Sequence, residues 1–171
     1  MNWDAIGALG EIAGALAVVV SIVYLSIQIR SNTRAMKAGA GFDATHSWAT
    51  INEQVVLYPD EIMPVFIKAF DPDERMENFS ELERVRLGAH FRALFQKLEG
   101  QYHLVKYGYL DPDIWETRRT WARGAIDLPV LRAWWDQERT ESIFTEDFIL
   151  IIESAEPIRV SVPSLRSLND A

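Results

Sequence analysis

The chain contains no cysteine, which excludes disulfides, zinc–thiolate sites, iron–sulfur clusters and a cysteine nucleophile. Histidine is scarce, with only His46, His90 and His103. There is no G-x-S-x-G elbow and no glycine-rich loop following a strand, so the usual carriers of nucleophilic and phosphate chemistry are missing. Strand-like alternation is weak throughout. The opening "MNWD" lacks the basic residues of a cleaved secretory signal, and Ile12 to Ile29 carries no charge of either sign.

What is present is apolar and acidic. Hydrophobic residues make up 49% of the 171, with six Trp, eight Phe and five Tyr, enough for a substantial core and too many for a disordered chain. The formal charge of −8 hides an asymmetry. Of the 17 basic and 25 acidic residues, only Arg30, Arg34, Lys37, Asp4 and Glu11 precede residue 38, which leaves 14 basic against 23 acidic, a net −9, in the remainder. So acidic a body repels phosphates, and no nucleic-acid partner is expected.

The uncharged stretch predicts a transmembrane helix. Its 18 residues rise about 1.5 Å each and cover about 27 Å, close to the hydrocarbon core of a bilayer. Arg30, Arg34 and Lys37 form a collar just after it, whereas Trp3 and Asp4 precede it. By the positive-inside rule the chain sits in the inner (cytoplasmic) membrane with its N-terminus outside and its C-terminal body in the cytoplasm. The collar then meets the anionic inner leaflet, so membrane lipid is the first expected partner.

One face of this helix is lined with small residues. Gly7, Gly10, Gly14, Ala17 and Ser21 follow 3,4,3,4 spacing, and Gly10 with Gly14 makes a GxxxG. Such seams let helix backbones approach in lipid, which predicts pairing with a second copy or with a partner membrane protein. Glu11 flanks the seam. A span of Ile12 to Ile29 places it at the outer headgroups; a span of Ala5 to about Ser26 places it inside the apolar run. The first register is preferred, and in both the carboxylate lies beside the packing surface.

The remainder reads as helices. "SNTRAMKAGAGFDATHSWATINEQVVLY" continues the membrane helix, with a weak point at Gly39 and Gly41, until Tyr58-Pro59-Asp60 breaks it. A short helix ends near Phe70, and "DPDERMENF" is a loop. Ser80 and Glu83 make a capping box before a core helix carrying Phe91, Leu94, Phe95, Leu98, Tyr102 and Val105, which stops at Gly108. Asp111-Pro112 and Pro129 open two more helices, and Thr145-Glu146-Asp147 caps a last one. The expected fold is all-α: an N-terminal transmembrane helix followed by a small cytoplasmic helical bundle. Its divisions are an anchor over 1–29, a juxtamembrane helix over 30–58, a bundle over 59–155 and an extended or mobile tail over 156–171.

Three constellations invite chemistry. Asp43 with His46, and Glu99 with His103, sit one helical turn apart, with Glu53 and Glu83 as conceivable further ligands. A di-iron bundle wants Glu-x-x-His pairs, and these spacings match it only imperfectly; among 25 acids chance pairs are common, so solvated polar faces explain them and no metal or cofactor is expected. The loop "DPDERMEN" begins like a calcium loop, but Arg75 and Met76 occupy ligand and glycine positions, leaving turn chemistry as its role. Trp115, Trp121, Trp134 and Trp135 interleave with Arg118, Arg119, Arg123 and Arg132. Arg stems covering core rings is the commoner meaning of such a cluster; a partner or ligand patch of Trp115, Arg118, Trp121, Trp134 and Trp135 is the alternative. Trp48 has no assigned side.

The segments "NWDAIGALGEIAGALAVVVSIVYLSIQIRSNTRA", "GYLDPDIWETRR", "RAWWDQER" and "IFTEDF" resemble, in order and spacing from residue 2 to about 153, a widespread family of uncharacterised bacterial single-span membrane proteins. The resemblance implies an N-terminal span with a helical cytoplasmic domain and brings no catalytic residue. The expected function is a membrane-anchored interaction or scaffold module without a catalytic site. An accessory subunit of a larger membrane complex, and a small helical metal protein or enzyme, are the alternatives.

Overall fold

The computed structural model describes residues 3–57, 59–158 and 160. Among them the chain is all-α, without strands: α1 (Trp3–Leu57), α2 (Pro59–Ala69), a 3-10 turn (Met76–Asn78), α3 (Glu81–Lys106), α4 (Pro112–Ala125), α5 (Pro129–Thr140) and α6 (Glu146–Glu153). Tyr58, expected at the helix break, and residues 159 and 161–171 of the expected tail lie outside the described residues.

The chain parts into two compact units between Ala40 and Gly41. The first holds the apolar part of α1 and the basic turns after it. The second begins inside α1, because the turn around Ala44 and Ser47 packs on the bundle: Ala44 is buried, its carbonyl accepts from Gln101 Nε2 (3.3 Å), and the Ser47 carbonyl accepts from Lys97 Nζ (3.2 Å). The juxtamembrane helix expected over 30–58 is therefore divided between the units. Gly39 and Gly41, the expected weak point, are both helical.

Local chemistry sets the helix ends. The Ser80 hydroxyl accepts the Glu83 N–H at 3.3 Å while Glu83 Oε2 accepts the Ser80 N–H at 2.7 Å, the reciprocal capping box. The backbone N–H of Ser80, more than any other group, holds the Glu83 carboxyl below its ordinary range. At the other end of α3, Gly108 adopts φ 72°. Its N–H reaches Val105 O (2.8 Å) and that of Tyr109 reaches Leu104 O (2.8 Å), the two bonds of a Schellman stop. The tripeptide Asp-Pro-Asp occurs twice with one role. Asp71 Oδ1 accepts from Asp73 N and Asp111 Oδ1 from Asp113 N, each at 2.9 Å, closing a turn in one case and opening α4 in the other.

Thr145 is a correction. It stands at the N-cap position of α6 but makes no cap bond. Its N–H (2.8 Å) and hydroxyl (2.6 Å) both donate to Glu99 Oε1 of α3, a charged acceptor that fixes the side chain in a position from which it caps no N–H of α6.

The core lies around α3, whose Leu87, Phe91, Leu94, Phe95 and Leu98 are buried. A run of touching rings carries it across the body: Phe66 on α2, Phe91 and Phe95 on α3, Trp134 and Trp135 on α5, then Phe144 and Phe148, with successive centroids 5.1–5.7 Å apart. Full burial of a Phe-sized side chain stabilises by about 1.5–3 kcal/mol. Trp134 and Trp135 are neighbours in sequence, so their rings leave α5 about 100° apart. Both are buried because Phe91 and Phe95 cover one and Phe144 covers the other.

Candidate functional site

The most unusual surface is the first unit. From Trp3 to Ile29 its large apolar side chains are exposed, Leu9 and Trp3 to 68% and Val20 to 66%. The helix is long and apolar enough to cross a membrane, and none of its apolar window is buried in the fold. Monomeric soluble proteins rarely expose so long a contiguous apolar face.

Three polar side chains within this stretch donate within the helix itself. Ser21 Oγ donates to Ala17 O and Ser26 Oγ to Ile22 O, both at 2.8 Å. Gln28 Nε2 donates to Tyr24 Oη at 2.7 Å. No group from elsewhere is needed to satisfy these donors, which is what hydrocarbon requires. A Cβ added at Gly7, Gly10 or Gly14 would meet nothing within 4 Å, so the fold itself does not need glycine there. Glu11, Ala17 and Ser21 are exposed beside them, as are Arg30, Arg34 and Lys37. Among the described residues the ion pairs all lie between Glu61 and Glu153, and none of them involves Arg30, Arg34 or Lys37.

The Trp/Arg cluster divides. Trp115, Trp134 and Trp135 are core residues, 5%, 4% and 0% exposed, with no ring face open to a ligand. Trp121 and Arg118 are half-buried and meet Trp48: the two indoles stand edge to face at 5.2 Å, and the Arg118 guanidinium lies 4.4 Å over the Trp48 ring. Burial pushes the Arg118 pKa below its ordinary value. Trp48 thus faces the bundle, and the cluster fastens α1 at Trp48 to α4.

The histidine pairs do not converge. Among the described residues, no three His, Asp or Glu side chains come together to hold a metal ion. Glu99 is occupied by Thr145, Glu83 by Ser80, and His46 stacks on Phe42 at 5.9 Å. The Asp43, Glu53 and His103 side chains remain on solvated or half-solvated faces.

The body carries a second surface. Between α2 and α3 lies a groove of about 420 Å³, floored by Val65, Phe66, Leu87 and His90, with Ile62 and Ala89 on its walls. The His90 ring stands perpendicular to Phe66 at 4.5 Å, and burial, aided by the charge of Lys97, pushes its pKa down, which keeps the imidazole neutral at neutral pH. Glu61 and Arg86 face each other at the rim, 3.4 Å apart. On α3 beside the groove, Leu82 and Val85 are 60% and 63% exposed. The signal was in the sequence: Leu82, Val85, Ala89 and Ala93 follow 3,4,4 spacing, a second apolar stripe beside the core stripe.

No protein-family model matches this chain, and no curated protein or solved structure gives a significant match.

Proposed function

We propose that this protein is a membrane-anchored helical interaction module without a catalytic site, its span lying in the inner membrane and its body in the cytoplasm. The observation that carries the reading is the fully exposed apolar stretch whose Ser21, Ser26 and Gln28 donate within their own helix. The collar of Arg30, Arg34 and Lys37 supports a cytoplasmic C-terminal side and contact with anionic lipid. Resemblance to the bacterial single-span family agrees with this arrangement. Gly7, Gly10, Gly14, Ala17 and Ser21 form the pairing seam with Glu11 at its edge, and the acidic body has no nucleic-acid role. No cofactor is assigned.

Reporter fusions at residue 45 and at the N-terminus test the anchor and its direction. A cytoplasmic reporter active at residue 45, with the protein retained in membranes after alkaline extraction, is expected. A residue-45 fusion active only in the periplasm would overturn the orientation, and release by alkali would overturn the span. For the seam, Ala17→Cys is expected to form a disulfide-linked pair in membranes, and Gly14→Ile to suppress it. A stoichiometric set of other subunits co-purifying in mild detergent, in place of a symmetric oligomer, would favour the accessory-subunit reading.

A further inference from the structure

We infer that the α2–α3 face of the body is a docking surface for the same face of a second copy of this chain. A two-fold interface presents one patch to itself, so it must carry both halves of every complementarity. This patch does. It is concave between α2 and α3, where the groove of about 420 Å³ lies over Val65, Phe66 and Leu87. It is convex and apolar on the adjoining ridge of α3, where Leu82 and Val85 stand 60% and 63% exposed. It also carries one acid and one base, Glu61 and Arg86. Two such faces brought together about a two-fold axis set each ridge into the other's groove. Each Arg86 can then move from its own Glu61, 3.4 Å away, to that of the other copy.

The chemistry favours a second copy over a nucleic acid, an acidic segment or a lipid surface. A groove for a nucleic acid or an acidic segment would carry uncompensated cations, and Arg86 at this rim is balanced by Glu61. A lipid surface calls for a basic apolar face. Glu61 and Arg86 balance each other here, so across a two-fold each copy offers an acid to the other's base and a base to its acid. The inference uses the body alone and does not rest on the span pairing through its seam.

The absence of native cysteine makes the test clean. Ala89 is exposed on the face, and Thr117 is exposed on α4. In full-length protein in native membranes, Ala89→Cys is expected to give a disulfide-linked dimer under mild oxidation, several-fold above Thr117→Cys. Adding Glu61→Arg or Arg86→Glu to Ala89→Cys places like charges across the two-fold, and each is expected to reduce the dimer several-fold. Co-expressing those two variants restores opposite charges between copies, so the dimer returns as the mixed species. A purely intramolecular Glu61–Arg86 pair cannot produce that recovery. No dimer from Ala89→Cys, a yield equal to Thr117→Cys, cross-linking to a different protein, or a mixture no better than its components would each overturn the inference. Ala17→Cys reports the span separately. Ala17 cross-linking without Ala89 removes the face and leaves the anchor reading, and the reverse result removes the seam.

Discussion

Glu138 on α5 receives Arg92 of α3 in a two-pronged pair, Nε to Oε2 at 2.7 Å and Nη2 to Oε1 at 2.6 Å, while its carboxylate is 2% exposed. The two partners are unequally buried, since the Arg92 side chain keeps 42% of its surface. Hydrogen bonding to Glu138, with its charge, holds the Arg92 pKa above the ordinary value. Arg92→Ala strands a buried carboxylate, whereas Glu138→Ala leaves a cation that water can reach. The expectation is an asymmetric loss: about 3 kcal/mol or more for Arg92→Ala, and about 1–2 kcal/mol for Glu138→Ala, read from urea unfolding. Equal losses would mean that the pair's burial is not what makes it matter.

Acid is expected to weaken the body through Glu153. Burial pushes this carboxyl up, but hydrogen bonds from Trp135 Nε1 (3.1 Å) and Arg139 (2.6 Å), with the charges of Arg139 and Arg132, hold it below its ordinary 4.5. A carboxyl whose pKa is lower in the folded state binds fewer protons there than when unfolded. Its contribution is therefore complete above 4.5 and is lost as the pH falls through the depressed value. Glu153→Gln keeps an oxygen for the Trp135 indole and removes the titration. Urea midpoints at neutral pH and at about pH 3 are expected to differ less in that variant than in the native chain.

These two pairs mark the boundary of what sequence patterns reveal. The helix ends were legible because their causes are local: Ser80 with Glu83, Asp111 with Pro112, and Gly108 act within a few residues. The core face of α3 was legible from its spacing. Arg92 with Glu138, and Glu99 with Thr145, are each 46 residues apart, and no periodicity encodes which of many carboxylates meets which donor. Thr145 shows the cost of that gap, since a good local cap was overruled by a distant carboxylate. The tryptophans show the same limit, because covering Trp134 and Trp135 on two sides of α5 depends on Phe144, outside any helix. The groove went unread since Leu82 and Val85 point away from the core their helix serves.

Ser142 adopts φ 54° just past α5, the position that usually takes glycine. The Ile143 N–H returns to Glu138 O at 3.4 Å across it, so the left-handed turn ends the helix as Gly108 ends α3. A side chain in this conformation costs about 1–2 kcal/mol, part of which glycine returns through a more flexible unfolded chain. Ser142→Gly is expected to raise stability by about 0.5–1 kcal/mol, whereas Ser142→Val lowers it. A fall in the melting temperature of the glycine variant would contradict this account.

Gly124 carries a different requirement. The segment after α6 crosses α4 here: the Ile158 N–H approaches Thr120 O at 3.5 Å, and a Cβ on Gly124 would stand 2.0 Å from the Ile158 carbonyl oxygen and 2.8 Å from Val160 Cγ2. Two effects of Gly124→Ala oppose each other. Alanine favours the helix by about 1 kcal/mol, since Gly124 lies within α4. Its methyl, however, cannot coexist with a backbone oxygen at that distance, and backbone yields only by moving the whole segment. The expected result is an intact α4 with the crossing segment displaced, seen as faster amide exchange at Ile158 while amides inside α3 keep their protection. Gly124→Ser adds the same Cβ with a poorer helix former and is expected to displace the segment equally at lower stability. Unchanged exchange at Ile158 in both variants would show that the segment does not lie against Gly124 in solution.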